Sequence, residues 1–176
     1  MDQLYKTLKL TNNESFFKEE DFIVSKTDLT GKITYCNRGF MQIVGMSYKQ
    51  LIGKNHHIIR HPDMPKTAFH NLWKTLKSGN EWFGFVKNIT SSGGFYWVFA
   101  NVTIDKQGDE EIGYYSVRRP APRGAISVIE KLYAELNKIE VAQGIDASNR
   151  YLEDLLAQQS LSYRDFVVNL YVEHSS

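Results

Sequence analysis

The sequence predicts an α+β fold in which an antiparallel sheet carries short helices on one face and a helical tail follows. Short runs rich in β-branched and aromatic residues occur near residue 22 and again from residue 82 to 118. The stretch between them shows apolar residues at helical spacing, as does the chain beyond Pro122. Strands and helices in separate blocks are typical of an antiparallel sheet with its helices segregated to one side.

The chain begins with a polar stretch, residues 1–20, which we expect to form a loosely ordered arm or a short helical cap. Two short strands follow at 22–25 and 33–36. The turn between them contains Gly31, which fits a hairpin loop.

Asn37 is placed to cap a first helix that Gly45 ends, and a second short helix follows at 48–51. Residues 55–65 are too rich in proline for one regular helix. A longer helix comes next, and its apolar residues form one core-facing stripe: Phe69, Leu72, Trp73 and Leu76.

Three strands, at 82–89, 95–104 and 112–118, then form an antiparallel meander. The middle strand is apolar on both faces, whereas a sheet with one face in water alternates apolar with polar residues. The outer face, with Phe95, Trp97 and Phe99, therefore needs a cover. Either the C-terminal helices or another protein chain provides it.

The tail, residues 120–176, begins at Pro120 and Pro122 and continues as amphipathic helices. The first has an apolar seam that is too short for a stable isolated coiled coil. The tail either packs back on its own sheet or docks on a second copy of the chain or another partner. The seam residues are Ile126, Ile129, Tyr133 and Leu136.

The amino-acid composition argues against several classes of function. Lys and Arg total 21 against 20 Asp and Glu, and this balance argues against nucleic-acid binding. One cysteine, Cys36, excludes an internal disulfide. No run approaches the ~20 apolar residues of a membrane span, and the N-terminus has no secretory signal. We therefore expect a cytoplasmic protein without direct membrane insertion.

The middle of the chain carries an unusual motif, Arg60-His61-Pro62-Asp63-Met64-Pro65-Lys66. It is followed by Phe69, Leu72-Trp73 and Glu81-Trp82. Together with the order of the elements, this motif resembles the PAS sensor domains of bacterial aerotaxis receptors over roughly residues 20–119. The resemblance implies a five-stranded PAS fold at 21–119, between the arm and the tail.

This resemblance also implies a function. Such domains bind FAD non-covalently and report the redox state of electron transport to the chemotaxis machinery. Those receptors carry membrane and signalling segments, which we do not find in this sequence. We therefore expect the stand-alone PAS subunit of a bipartite energy-taxis system, acting on the cytoplasmic part of a separate membrane-bound transducer.

The polar segment before the long helix supplies candidate flavin ligands. Arg60 offers a planar donor fork suited to phosphate, and His56, His57 and His61 add donors. Asp63 is expected to fix Arg60, to accept from ribose hydroxyls, or to cap the following helix.

Further candidates lie on other elements. The resemblance places Trp73 and Asn88 near the flavin, although Trp73 also fits plain core packing. Asn37 matches a site position of the family and is equally a helix cap. Ser116 and Arg118 alternate on the last strand, where the resemblance implies a response to flavin state.

Other chemistries have less support. His57 and His61 lack the carboxylates or thiols that would complete a metal site. Cys36 lies outside the position of the flavin-reactive cysteine of light-oxygen-voltage (LOV) domains and is expected to be a buried apolar side chain. No catalytic motif is present, and a flavin reductase would lack a nicotinamide site. A haem-binding PAS sensor and a cofactor-free interaction module remain alternatives to a non-enzymatic flavin sensor.

Overall fold

The computed structural model describes residues 6–18 and 20–175. Its described strands form one five-stranded antiparallel sheet, as predicted, and their order is β2-β1-β5-β4-β3. The last two strands run past their predicted ends at 104 and 118. The strands are β1 (Ile23–Asp28), β2 (Ile33–Cys36), β3 (Trp82–Ile89), β4 (Phe95–Gln107) and β5 (Glu110–Pro120).

Three helices and a 3₁₀ helix connect β2 to β3, and three more follow β5. Asn37 caps the first helix, which Gly45 ends in the left-handed conformation (φ 72°) that glycine adopts readily. The proline-rich segment holds only the 3₁₀ helix, His56–Ile59. The helices are α1 (Arg38–Val44), α2 (Tyr48–Leu51), α3 (Lys66–Lys77), α4 (Arg123–Gln143), α5 (Ile145–Gln158) and α6 (Tyr163–Glu173).

The sheet is buried on both faces because its central strands alternate two sets of large side chains. The inner face contains Tyr96, Val98 and Ala100, which pack against Phe40 of α1 and Leu72 of α3. This core includes buried Cys36, as expected. The short helices therefore cover one face of the sheet.

The outer face contains Phe85, Trp97 and Phe99 and is covered by the tail. Ile129 of α4 is completely buried against it, and Tyr171 of α6 stacks on Phe99 with ring centroids 4.3 Å apart. This settles what covers the outer face. Of the two alternatives for the α4 seam, packing on its own sheet is the one found, because the seam is buried in this core.

The described part of the N-terminal arm begins in a 3₁₀ turn at residue 6 and continues as an extended segment along the sheet. Its backbone bonds run from Ser15 N to Phe95 O (2.7 Å) and from Phe95 N to Asn13 O (2.9 Å). Glu14 also forms a 2.7 Å salt bridge with Arg123 at the start of α4. Residues 1–5 and 19 of the predicted arm lie outside the described residues. None of the described helices is long and apolar enough to cross a membrane.

Candidate functional site

Four buried polar atoms on the inner face have no hydrogen-bond partner among the described residues. Strand register places them together, because Asn88 lies opposite Tyr96, while Arg118 and Ser116 lie opposite Ala100 and Val102 on the same side. Unpaired buried polar groups are rare in native proteins and call for an explanation. The atoms are Asn88 Nδ2, Tyr96 Oη, Ser116 Oγ and Arg118 Nη1.

Arg118 is the charged residue of this group. Its side chain is 5% exposed, and its Nη2 donates to Ser25 Oγ (3.0 Å) and to His56 Nε2 (2.8 Å). Burial lowers the pKa of Arg118 to about 10, so it stays protonated at neutral pH. No carboxylate of the described residues pairs with it. The inner face therefore holds a cation without a counter-charge.

His56 keeps this cation in place and does not add a charge of its own. Burial, followed by the nearby Arg118 and His57, holds the pKa of His56 well below its usual value. The neutral ring then accepts from Arg118 through Nε2 and carries its proton on Nδ1. Its ring also packs on Phe40, with centroids 5.6 Å apart.

This cluster has the chemistry of a site for the pyrimidine edge of a flavin. That edge presents carbonyl oxygens and ring nitrogens, and it needs buried donors inside apolar walls. Arg118 Nη1 and Asn88 Nδ2 are two such donors, and the hydroxyls of Tyr96 and Ser116 can donate or accept. Each buried group left unpaired costs about 1–3 kcal/mol, so a ligand that pairs them is stabilised.

Arg60 lies next to this cluster through the backbone, where it forms an isolated bridge with Asn88. Its guanidinium packs over the Phe69 ring at 4.0 Å and donates to Met64 O at 2.8 Å. The expectation that Asp63 fixes Arg60 is therefore wrong. His57, half-buried, has a lowered pKa because of burial and the charge of Arg60.

Two residues of the motif, His61 and Asp63, lie at the outer face instead. Asp63 Oδ2 pairs with Lys87 Nζ at 2.7 Å, and Lys87 precedes Asn88 on β3, so the two side chains point to opposite faces. His61 Nδ1 accepts from Asp63 N at 3.1 Å. Asp63 does not cap α3 either, because Pro65 occupies the N-cap position. The structure thus divides the predicted site between the two sides of the sheet.

Trp73 and Asn37 do not lie in one common pocket with the other predicted site residues either. Trp73 is 40% exposed and meets Tyr114 edge to face at 5.1 Å, so its predicted place in the core stripe is wrong. Asn37 is confirmed as a cap. Its Oδ1 accepts from Phe40 N and Val24 N, and its Nδ2 donates to Phe22 O, so both ends of its amide bond backbone groups.

Ser25 and Tyr96 belong to the cluster but were not predicted as site residues. Ser25 pairs with Ser116 across β1 and β5, and Tyr96 pairs with Asn88 across β3 and β4. Strand alternation places Tyr96 on the inner face, opposite Asn88. The available signal for Ser25 was a polar residue two positions after Ile23, on the face of β1 that the apolar Ile23 shares.

The buried histidines make the free energy of unfolding depend on pH, and a substitution of His61 tests this dependence. Burial, followed by the charge of Lys87, lowers the pKa of His61 to about 4. An unfolded histidine has a pKa of about 6.5, so the unfolded chain binds the proton first as pH falls from about 7 to about 4. The free energy of unfolding should therefore decrease over this window.

We expect His61→Asn to weaken that decrease, because asparagine retains an acceptor for Asp63 N and does not titrate. Urea denaturation at about pH 7 and about pH 5 measures it. The matched control is His70→Asn on an exposed position of α3. Equal pH dependence in the His61→Asn variant and the wild type would contradict the assignment.

Comparison with known proteins agrees with this architecture. The residue pattern of the PAS fold matches residues 33–117. A light-oxygen-voltage domain studied with a flavin analogue shares the fold with a TM-score of 0.54 and 19% identity, over 62% of this chain and 83% of that one. The dark-state Aureochrome1 LOV domain gives 0.52 and 20%, over 69% and 86%. At such identities the likeness shows the fold alone.

Two relatives are similar in sequence. The aerotaxis receptor of Escherichia coli (strain K12) is 39% identical over 128 residues, or 73% of this chain and 25% of the receptor. The nitrogen fixation regulatory protein of Klebsiella pneumoniae is 28% identical over 149 residues, or 78% of this chain and 29% of that protein. The chain therefore spans only 25% of the length of the aerotaxis receptor and 29% of the length of the nitrogen fixation regulatory protein. It contains a PAS domain, and that domain resembles the PAS domain of the aerotaxis receptor.

Proposed function

We propose that this protein is a flavin-binding redox sensor that signals through protein contact and does not turn over a substrate. The observation that carries the proposal is the buried Arg118, with no carboxylate partner among the described residues, beside three further unpaired polar groups on the inner face. The 39% identity to an aerotaxis receptor supports a role in taxis towards favourable redox or energy conditions.

The residues have distinct proposed roles. Arg118, Asn88, Ser116 and Tyr96 bind the polar edge of the ring, and His56 orients Arg118. A bound flavin would supply redox chemistry, and reduction changes the charge and protonation of its ring nitrogens. Among the described residues Arg118 has two hydrogen bonds, both on Nη2, and its Nη1 is therefore available to respond to such a change.

The motif residues would hold the remainder of the cofactor. Arg60 bridges Asn88 through the backbone at the edge of the sheet, and His57 belongs to the 3₁₀ helix that ends just before Arg60. His61 and Asp63 lie around that edge, and Trp73 lies at the exposed end of the inner face. Ligands spread this widely suit an extended dinucleotide better than a mononucleotide, which is why we propose FAD.

The proposed output runs from the sensor, residues 21–119, to the tail, residues 120–176. β5 carries Arg118 and leads through Pro120 directly into α4. The proposed partner is the cytoplasmic part of a membrane-bound chemotaxis transducer, and homodimer formation is the alternative contact. Because the proposed partner surface is cytoplasmic, the proposal includes a cytoplasmic location for this protein.

Purified protein should be yellow and show flavin absorption bands, because the inner-face donors retain the cofactor. Mass spectrometry of the released cofactor should give FAD. A sharp Soret band would indicate haem instead, and colourless protein would favour the cofactor-free interaction module. FMN as the only released species would contradict the choice of FAD while leaving the flavin sensor intact.

A further inference from the structure

Helix α3 begins without a cap from its own part of the chain. Its N-cap residue, Pro65, forms no side-chain cap bond, and the first turn contains no acidic residue. The first turn of a helix exposes unpaired N–H groups and the positive end of the helix dipole. An acceptor from elsewhere is therefore needed at this helix start.

Glu140 of α4 supplies that acceptor from 73 positions further along the chain. Its Oε1 accepts from Thr67 N at 2.7 Å and from the Thr67 hydroxyl at 2.8 Å. The same hydroxyl lies 2.8 Å from Ser148 Oγ of α5, and both Thr67 and Ser148 are fully buried. The start of α3 is thus bonded to both α4 and α5.

A second bond joins α4 to the same region. Asn137 Nδ2 donates to Asp63 O at 2.6 Å. Asn137 and Glu140 are three residues apart and share one face of α4. Together they hold both ends of residues 63–67, the stretch that connects Arg60 to α3.

We propose that Asn137 and Glu140 form a latch that couples residues 60–67 to the tail, so that a shift of this segment moves α4 and α5. The inference rests on the proposed function, in which Arg60, His61 and Asp63 hold part of the cofactor. α4 is thereby connected to the sensor at two points: its N-terminal end follows β5, and its C-terminal half carries the latch. A change at the site reaches the tail by both routes.

The first experiment tests the latch without reference to any cofactor. Hydrogen exchange is measured by mass spectrometry on the full chain, in wild type and in Glu140→Ala. We expect exchange at residues 66–69 and 145–149 to become about tenfold faster or more, because the charged acceptor of the buried Thr67 is lost. Glu140→Gln is the matched control, since its amide oxygen still accepts from Thr67, and Asn137→Ala is a second, milder variant. Exchange unchanged in both alanine variants would overturn the latch.

The second experiment tests transmission in flavin-loaded protein, oxidised and then reduced with dithionite. In wild type, reduction should change exchange at 60–67 and at 137–149 together. In Glu140→Ala, or in Asn137→Ala if the former does not fold, the change should persist at 60–67 and decrease at 137–149. A change that reaches 137–149 equally in these variants would refute coupling through the latch. Protein that holds no flavin would instead contradict the proposed function, and the first experiment would then decide on the latch alone.

Discussion

Arg118→Met is expected to weaken flavin binding by about ten- to hundredfold, since charge-assisted hydrogen bonds contribute about 1.5–3 kcal/mol. The same change should leave the cofactor-free protein at least as stable as wild type. Arg118 is buried without a carboxylate partner among the described residues, and methionine of similar length removes the cost of keeping that charge out of water. The two effects have opposite signs, which makes the variant diagnostic.

Flavin affinity is measured by titrating apoprotein while following flavin fluorescence, and stability by urea denaturation of the same preparation. The matched control is Arg119→Met, an exposed neighbour whose guanidinium packs over Phe22 at 5.2 Å on the other side of the sheet. The control should bind flavin as wild type does. Wild-type affinity in Arg118→Met would refute its role at the site, and a large loss of apoprotein stability would show that the guanidinium is a structural element.

Ile129→Glu is expected to unfold the protein or to lower the free energy of unfolding by about 4 kcal/mol or more. Ile129 is completely buried in the core between α4 and the outer face, so the new carboxylate has neither water nor a cation beside it. Because domains of this size are stable by only about 5–15 kcal/mol, flavin binding should be lost with the fold.

Val128→Glu is the matched control, because Val128 is the preceding residue of the same helix and is 41% exposed. Circular dichroism and urea denaturation should show it close to wild type. If the α4 seam instead docked on a partner, the alternative that the sequence left open, Ile129→Glu would weaken partner binding and spare the flavin spectrum. A folded Ile129→Glu protein with an intact spectrum would therefore show that α4 leaves the sheet in solution.

A packed tail changes how a signal can leave the domain. A partner does not meet the apolar seam of α4, so it must bind other surfaces of the tail or the sheet. In the proposed function, the signal then travels as a displacement of helices that stay bound, through β5 and through the latch formed by Asn137 and Glu140. Both routes start from residues that we assign to the cofactor site.

Much of this protein can be predicted from local patterns. The period-two strands, the Asn37 cap and the Gly45 helix end follow from spacing and backbone preference, and the resemblance to PAS domains implied that the five strands form one sheet. Alternation along β5 correctly predicted that Ser116 and Arg118 share a face, because side chains of a strand point alternately to its two sides. These features depend on neighbours within a few residues, which the sequence displays directly.

Only the tertiary structure decided how the irregular segment around Arg60 lies against the sheet. The bridge between Arg60 and Asn88 places it at the edge of β3, and from there His61 and Asp63 turn to Lys87 on the outer face. The cap of α3 came from Glu140, far along the chain, and the cover of the outer face came from the tail itself. Such pairings depend on which surfaces remain unsatisfied once the sheet has formed. The spacing of residues along the chain does not show which of these surfaces will pair with one another.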